Sequence, residues 1–162
     1  DFPADSSLAG DFQSTNLADA FAIALPEDAA TDPEILARFL FSQQPGWVRL
    51  LLKLRDGMVS FAGLKTTQSL GRQSDHDQIQ RISFFRIYRV EAAEVILGED
   101  DKHLDFRLSV LVRPGSLVLA TVVQCHNRLG RNYLKLITPF HRLVAKAVLR
   151  RAAKTGWPRQ RG

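Results

Sequence analysis

The stretch from Leu117 to Lys154 constrains the fold more than any other part of the chain. It reads as a long apolar strand, a tight corner at Asn127 to Gly130, and then a long amphipathic helix. Leu129, Tyr133, Leu136, Ile137, Phe140, Leu143, Val144, Ala147 and Val148 recur at spacings of three and four, the period of one helical face. Arg131, Lys135, Arg142, Lys146 and Arg150 fall on the opposite face. Pro139 removes a helical hydrogen bond, so the pattern predicts either one bent helix or two nearly collinear ones, with Thr138 as cap and Pro139 at the first helical position. Gly156 and Pro158 mark the stop. A helix of this kind needs a sheet to cover its apolar stripe, and the rest of the chain has to supply it.

At 162 residues and 18.2 kDa the chain is long enough for one domain with a real core. Its 45% hydrophobic and 24% charged residues are ordinary for a globular protein. No apolar run reaches the roughly 20 residues needed to span a bilayer. The acidic opening, Asp1 to Gly10, lacks a signal-peptide pattern, and without an initiator Met the sequence reads as a trimmed chain or a piece of a longer one. Cys125 is the single cysteine, which excludes an internal disulfide and fits a reducing cytoplasm. Charge is unevenly spread. Residues 1–105 carry 10 Lys/Arg and 17 Asp/Glu, whereas residues 106–162 carry 12 Lys/Arg and no acid. The asymmetry raises the question of an anionic partner, although a solvated basic face, or one paired with the acidic first half, is the ordinary explanation.

The remaining elements follow in order. Residues 1–16 are a polar lead-in. Asp19 to Leu25 alternates and ends at Pro26, as a strand does. Asp32-Pro33-Glu34 is a helix start, with Asp32 as N-cap, and the helix runs to about Phe41. A second short helix begins near Trp47 and places Trp47, Leu50, Leu51, Leu54, Met58, Phe61 and Ala62 on one face. Residues 66–80 have no periodicity and read as a loop or lid. Four strands are expected at Ile82–Val90, Glu94–Leu97, His103–Val112 and Leu117–Asn127, joined by turns at Gly98–Asp101 and Arg113–Ser116 into an antiparallel meander. Residues 155–162 form a tail.

Four strings bring a family into view: "DAFAIALP" (Asp19 to Pro26), "PGWVRLLLKLRDGMVSFAGLK" (Pro45 to Lys65), "LGEDDKHLDFRLSVLV" (Leu97 to Val112) and "TVVQCHNRLGRNYLKLITPFHRLVAKAVLRRA" (Thr121 to Ala152). They resemble the bacterial domain-of-unknown-function family 2867, and the element order resembles the START-like (SRPBCC) superfamily. The resemblance implies a single α+β domain of helix-grip type: a curved antiparallel sheet around the C-terminal helix, with two short helices after the first strand. START-like relatives often enclose lipids, polyketides, hormones or aromatic compounds between sheet and helix, and some are cyclases. Members of the family also occur fused behind NAD(P)-binding epimerase-type domains. No Gly-rich dinucleotide fingerprint is present in this chain.

If part of the helix stripe lines a cavity, as the resemblance implies, the walls are Phe106, Leu108 and Val110 from one strand and Tyr133, Ile137 and Phe140 from the helix. Trp47, Leu51 and Phe61 would close one end. Ligand sites are typically apolar with a few placed polar groups, and Thr121, His126, Tyr133 and His141 are the candidates. The leading expectation is a domain binding a small apolar or amphipathic ligand without a cofactor. The alternatives are a cyclase, hydratase or isomerase using His126, Tyr133 and His141, and an interaction module for an oxidoreductase partner, a second copy or a membrane surface. Membrane contact is expected to be weak, because the apolar face of the helix is committed to the sheet. Nucleic acid is not expected, because the basic helix lacks interleaved aromatics. No catalytic residue is assigned. There is no G-x-S-x-G elbow, Cys125 and His126 are adjacent on a strand and point to opposite faces, and Asp75-His76-Asp77 has metal-like composition in a stretch where solvation suffices. His103, Asp105 and Arg107 share one strand face, which reads as a solvated ladder if Leu104, Phe106, Leu108 and Val110 face the helix.

Overall fold

The structure, a computed structural model, describes residues 2–11, 14–42, 80–83 and 85–160. Six strands, Leu17–Ala24 (β1), Arg81–Ile82 (β2), Phe85–Val90 (β3), Glu94–Asp100 (β4), Leu104–Arg113 (β5) and Ser116–Cys125 (β6), form one antiparallel sheet in the order β1-β6-β5-β4-β3-β2. Among the described residues two α-helices, Pro33–Ser42 (α1) and Arg128–Thr155 (α2), grip one face of it. This is the α+β helix-grip arrangement expected from the element order. The second short helix near Trp47, and the expected loop over residues 66–79, lie outside the described residues.

The local reasons are visible in the chain. Asp32 caps α1 by accepting from the amides of Glu34 (2.8 Å) and Ile35 (3.1 Å). Gly115, with φ at 72°, closes the tight turn between β5 and β6, the backbone region that glycine enters at no steric cost. The expected strand Ile82–Val90 is instead a hairpin, with Ile82 opposite Phe85 and Ser83 at φ 58°. No glycine marks that reversal in the sequence. β4 runs three residues beyond its expected end, because Gly98, Glu99 and Asp100 continue the ladder opposite Arg107, Phe106 and Asp105.

α2 is a single helix of 28 residues that passes through Pro139. Asn127 caps it by accepting from the Gly130 amide at 2.9 Å. Gly130 lies against the backbone carbonyl of His103, and any Cβ there would collide with it. Pro139 has no N–H to give to the carbonyl of Lys135. The residue just before it, Thr138, donates its Oγ1 hydroxyl to the Leu134 carbonyl at 2.6 Å.

Paired residues across an antiparallel sheet point to the same face. The inner face therefore carries the row Glu99–Phe106–Val123–Leu17, then Leu97–Leu108–Thr121–Asp19, then Val95–Val110–Leu119–Phe21. Leu36, Ala37 and Leu40 of α1 and Ala145, Val148, Leu149 and Ala152 of α2 complete the main core over the third row. Leu134 seals a smaller cluster with Leu104 and Val123 near the start of α2. The tail continues the packing. Trp157 meets Phe39 at 5.9 Å between ring centroids, and Gln160 donates its amide to the Asp28 carbonyl.

The outer face is covered rather than solvated. Leu8, in a short 3-10 turn at Ser7–Gly10, is 2% exposed and packs with Ile96, Ala120 and Val122. Glu94 holds this N-terminal segment in place. Its buried carboxylate accepts from Ser6 Oγ (2.5 Å), from the Ser7 amide (2.9 Å) and Oγ (2.7 Å), and from Ser109 Oγ. The polar lead-in is thus an integral layer of the fold.

Candidate functional site

The inner face departs from a plain apolar core at the end of the sheet near the start of α2. Phe106 stands between Glu99 and Val123 in its row. Its ring meets Phe85 of β3 edge-on at 5.8 Å, and Phe85 meets Phe41, near the end of α1, edge-on at 5.1 Å. Such edge-to-face contacts are the favoured geometry of aromatic pairs. Three rings from three elements therefore form one aromatic wall. Tyr133 and Ile137 of α2 pack as half-buried neighbours of the same cluster as Phe106.

A polar point sits beside this wall. Glu99 shares the face of Phe106 and pairs with Arg81 of β2 at 3.1 Å, with side chains only 11% and 9% exposed. A buried charge persists when it is paired. One row further along, Thr121 is buried opposite Asp19 and Leu108. Asp19 accepts from Arg142 of α2 at 3.0 and 3.2 Å. The preceding helical residue, His141, has a buried Nε2 with no hydrogen-bond partner among the described residues. Burial pushes the His141 imidazole below its ordinary pKa, the Asp19 carboxylate draws it back, and Arg142 pushes it down again. The imidazole is therefore neutral at pH 7.

The expected site residues thus divide. Phe106, Thr121, Tyr133 and Ile137 are on the gripped face, with Leu108 and Val110 in the main core beside them. Phe140 is 49% exposed. His126 lies beyond the end of β6, and its Nε2 meets Asp105 Oδ2 at 2.9 Å on the outer side of the sheet. His126 and His141 are therefore on opposite faces. Trp47, Leu51 and Phe61 lie outside the described residues. Burial raises the pKa of the Cys125 thiol, which makes it a poor nucleophile near neutrality. Among the described residues no cluster of three His, Cys, Asp or Glu could hold a metal ion.

The outer face has a second polar assembly. The Arg107 guanidinium lies 3.7 Å from the Tyr88 ring centroid and pairs with Asp100 at 2.7 Å, while Tyr88 donates to Asp100 at 2.9 Å. Burial and that hydrogen bond push the Tyr88 phenol up to about 12. A hollow of about 270 Å³ lined by Asp11, Tyr88, Arg89 and Arg107 opens here. Its charges are matched, since Arg89 pairs with Asp11 at 2.9 Å, and it reads as the seam of the N-terminal layer. Asp105 and Arg107 do face away from the helices, but Arg107 is only 13% exposed, and His103 lies against the start of α2, with its Nδ1 held 2.8 Å from Asn127 Nδ2.

Sequence reasoning missed Phe41, Phe85, Arg81 and Glu99. The available signal was the period-two run Val95, Leu97, Glu99, which places Glu99 on the inner face; the string Gly98-Glu99-Asp100-Asp101 has turn composition and hides it. No helix among the described residues is long and apolar enough to cross a membrane. No curated protein and no solved structure matches the chain. The family described as protein of unknown function (DUF2867) matches residues 12–148, and the chain belongs to that family.

Proposed function

We propose that this protein is a START-like binding domain that holds one small apolar or amphipathic ligand on the gripped face, between the aromatic wall and the first half of α2. The observation that carries this reading is the Phe41–Phe85–Phe106 wall ending beside the buried Arg81–Glu99 pair. Rings supply flat apolar contact, and a charged pair in low dielectric supplies orientation for one polar group of a ligand. Tyr133 and Ile137 would cover the ligand from the helix side. No covalent step is required of any residue at this site.

Titration with the fluorescent fatty acid cis-parinaric acid tests the reading. The full chain should bind it saturably, with one site per chain. Phe106→Leu should weaken binding on the order of tenfold by removing ring contacts, whereas Ile35→Ser, at an exposed position of α1, should leave it unchanged. Circular dichroism melting of both variants separates lost binding from lost folding. Non-saturable fluorescence, or equal affinity in the Phe106 variant, would overturn the reading.

A further inference from the structure

The last helix has two apolar sectors, and only one of them meets the sheet. Gly130, Leu134, Ala145, Val148, Leu149 and Ala152 are buried. Leu129, Leu136, Phe140 and Leu143 are 41%, 57%, 49% and 54% exposed. Three of these recur every seven residues, and Phe140 follows Leu136 by one turn, so all four lie along one side of the helix over roughly 21 Å. Single exposed apolar side chains need no explanation, but a row of four large ones on one element does.

The charge around the row says what covers it. α2 carries eight Lys and Arg and no acid. Arg128, Lys135, Lys146 and Arg150 are all exposed, and Arg142 is engaged by the carboxylate of Asp19. A second copy of this helix would bring two such cationic sets together without a counter-charge, which disfavours self-association through the row. An anionic lipid surface satisfies both features at once. Its headgroup boundary accepts leucine and phenylalanine side chains, while long basic side chains reach the phosphates.

We propose that Leu129, Leu136, Phe140 and Leu143 form a docking surface for an anionic bilayer, with the basic residues of α2 supplying the electrostatic contact. Periodicity alone assigned this helix a single apolar face turned to the sheet. The exposed row removes that objection to membrane contact. The proposal stands apart from ligand binding on the inner face, since it uses none of the residues of the aromatic wall.

Flotation of the full chain with vesicles provides the test. Vesicles of phosphatidylcholine containing about 25 mol% phosphatidylglycerol should carry the protein upward, and pure phosphatidylcholine vesicles should not. Raising the salt should weaken the interaction. Leu136→Ser/Phe140→Ser should reduce binding at least about tenfold, with an unchanged far-ultraviolet spectrum, because both side chains are exposed. Ile35→Ser should bind as the wild type does. Absence of binding to the anionic vesicles at low salt would overturn the proposal, as would equal binding of the double variant, which would leave charge adsorption alone. A stable dimer in solution that the double variant dissociates would also overturn it, and would assign the row to a second copy.

Discussion

Glu94 and His141 both hold ionisable groups away from water, one charged and one neutral, and both make the fold less stable as pH falls, over different ranges. Burial pushes the Glu94 carboxyl up, but hydrogen bonds from Ser109, Ser6 and Ser7 outweigh it and hold the pKa below the ordinary glutamate value. A carboxyl with a depressed folded-state pKa stabilises above its unfolded value and loses that contribution as pH falls through the folded value. Glu94→Gln should therefore flatten the loss of stability below about pH 4.5, measured by urea unfolding across pH. At pH 7, Glu94→Ala should cost about 2–4 kcal/mol, because it strands the Ser6 and Ser109 hydroxyls in a dry layer. For His141 the charged form is the disfavoured one. Its folded-state pKa lies below the unfolded value, so the unfolded chain binds the proton first, and stability falls as pH drops below about 6.5. His141→Leu should remove that decline, which is worth at most about 1.4 kcal/mol per pH unit. A variant whose unfolding midpoint keeps the wild-type pH dependence between pH 7 and pH 5 would show that the imidazole does not titrate in this way.

At the scale of elements, two features of α2 set where it starts and how it continues. Gly130 touches the His103 carbonyl, and Gly130→Ala should destabilise by about 1–3 kcal/mol through backbone collision despite its better helix propensity. Pro139 is exposed and blocks one helical hydrogen bond, so Pro139→Ala should raise the thermal midpoint, with a gain of about 1–3 kcal/mol. A lower midpoint would mean that the proline conformation is itself required for packing. The same helix shows what sequence could and could not give. Its existence and its end at Gly156 were legible, because periodicity and a glycine stop are local, but its cap was not: Asn127 was read as the last residue of a strand, and the expected cap at Thr138 lies inside the one continuous helix. Which half of its broad apolar sector faced the sheet was not, since Leu134 and Leu136 are equally apolar, and only the position of β6 decides between them. The hairpin at Ser83 and the inner-facing Glu99 escaped for a related reason: each uses residues whose local preference points elsewhere and whose partners are distant in sequence. Leu8 gave no periodic signal at all, because a lone leucine in a polar run becomes core only when Ile96 and Val122 are placed beneath it.

For the whole molecule, the sheet is a layer covered on both sides, by α1 and α2 on one face and by the N-terminal segment on the other. That division sorts the polar groups. The Glu94 cage and the Arg107–Tyr88–Asp100 assembly fasten the outer layer. The Arg81–Glu99 pair, Thr121 and His141 lie on the gripped side with the aromatic wall. Removal of residues 1–10 should therefore lower stability without altering the gripped face, a loss that calorimetry would register as a lower melting temperature. The α+β architecture was readable from element order, and Phe106, Tyr133 and Ile137, which only the family resemblance had grouped, pack around one small cluster. Phe41 and Phe85 became members only through the register of β3 and the end of α1. Native mass spectrometry of the freshly purified chain, compared with its denatured mass, tests the central claim most directly. A domain that holds one ligand on the gripped face should show a reproducible excess mass of one small organic molecule, diminished in Phe106→Leu. A bare protein mass that stays bare after incubation with excess cis-parinaric acid would contradict it.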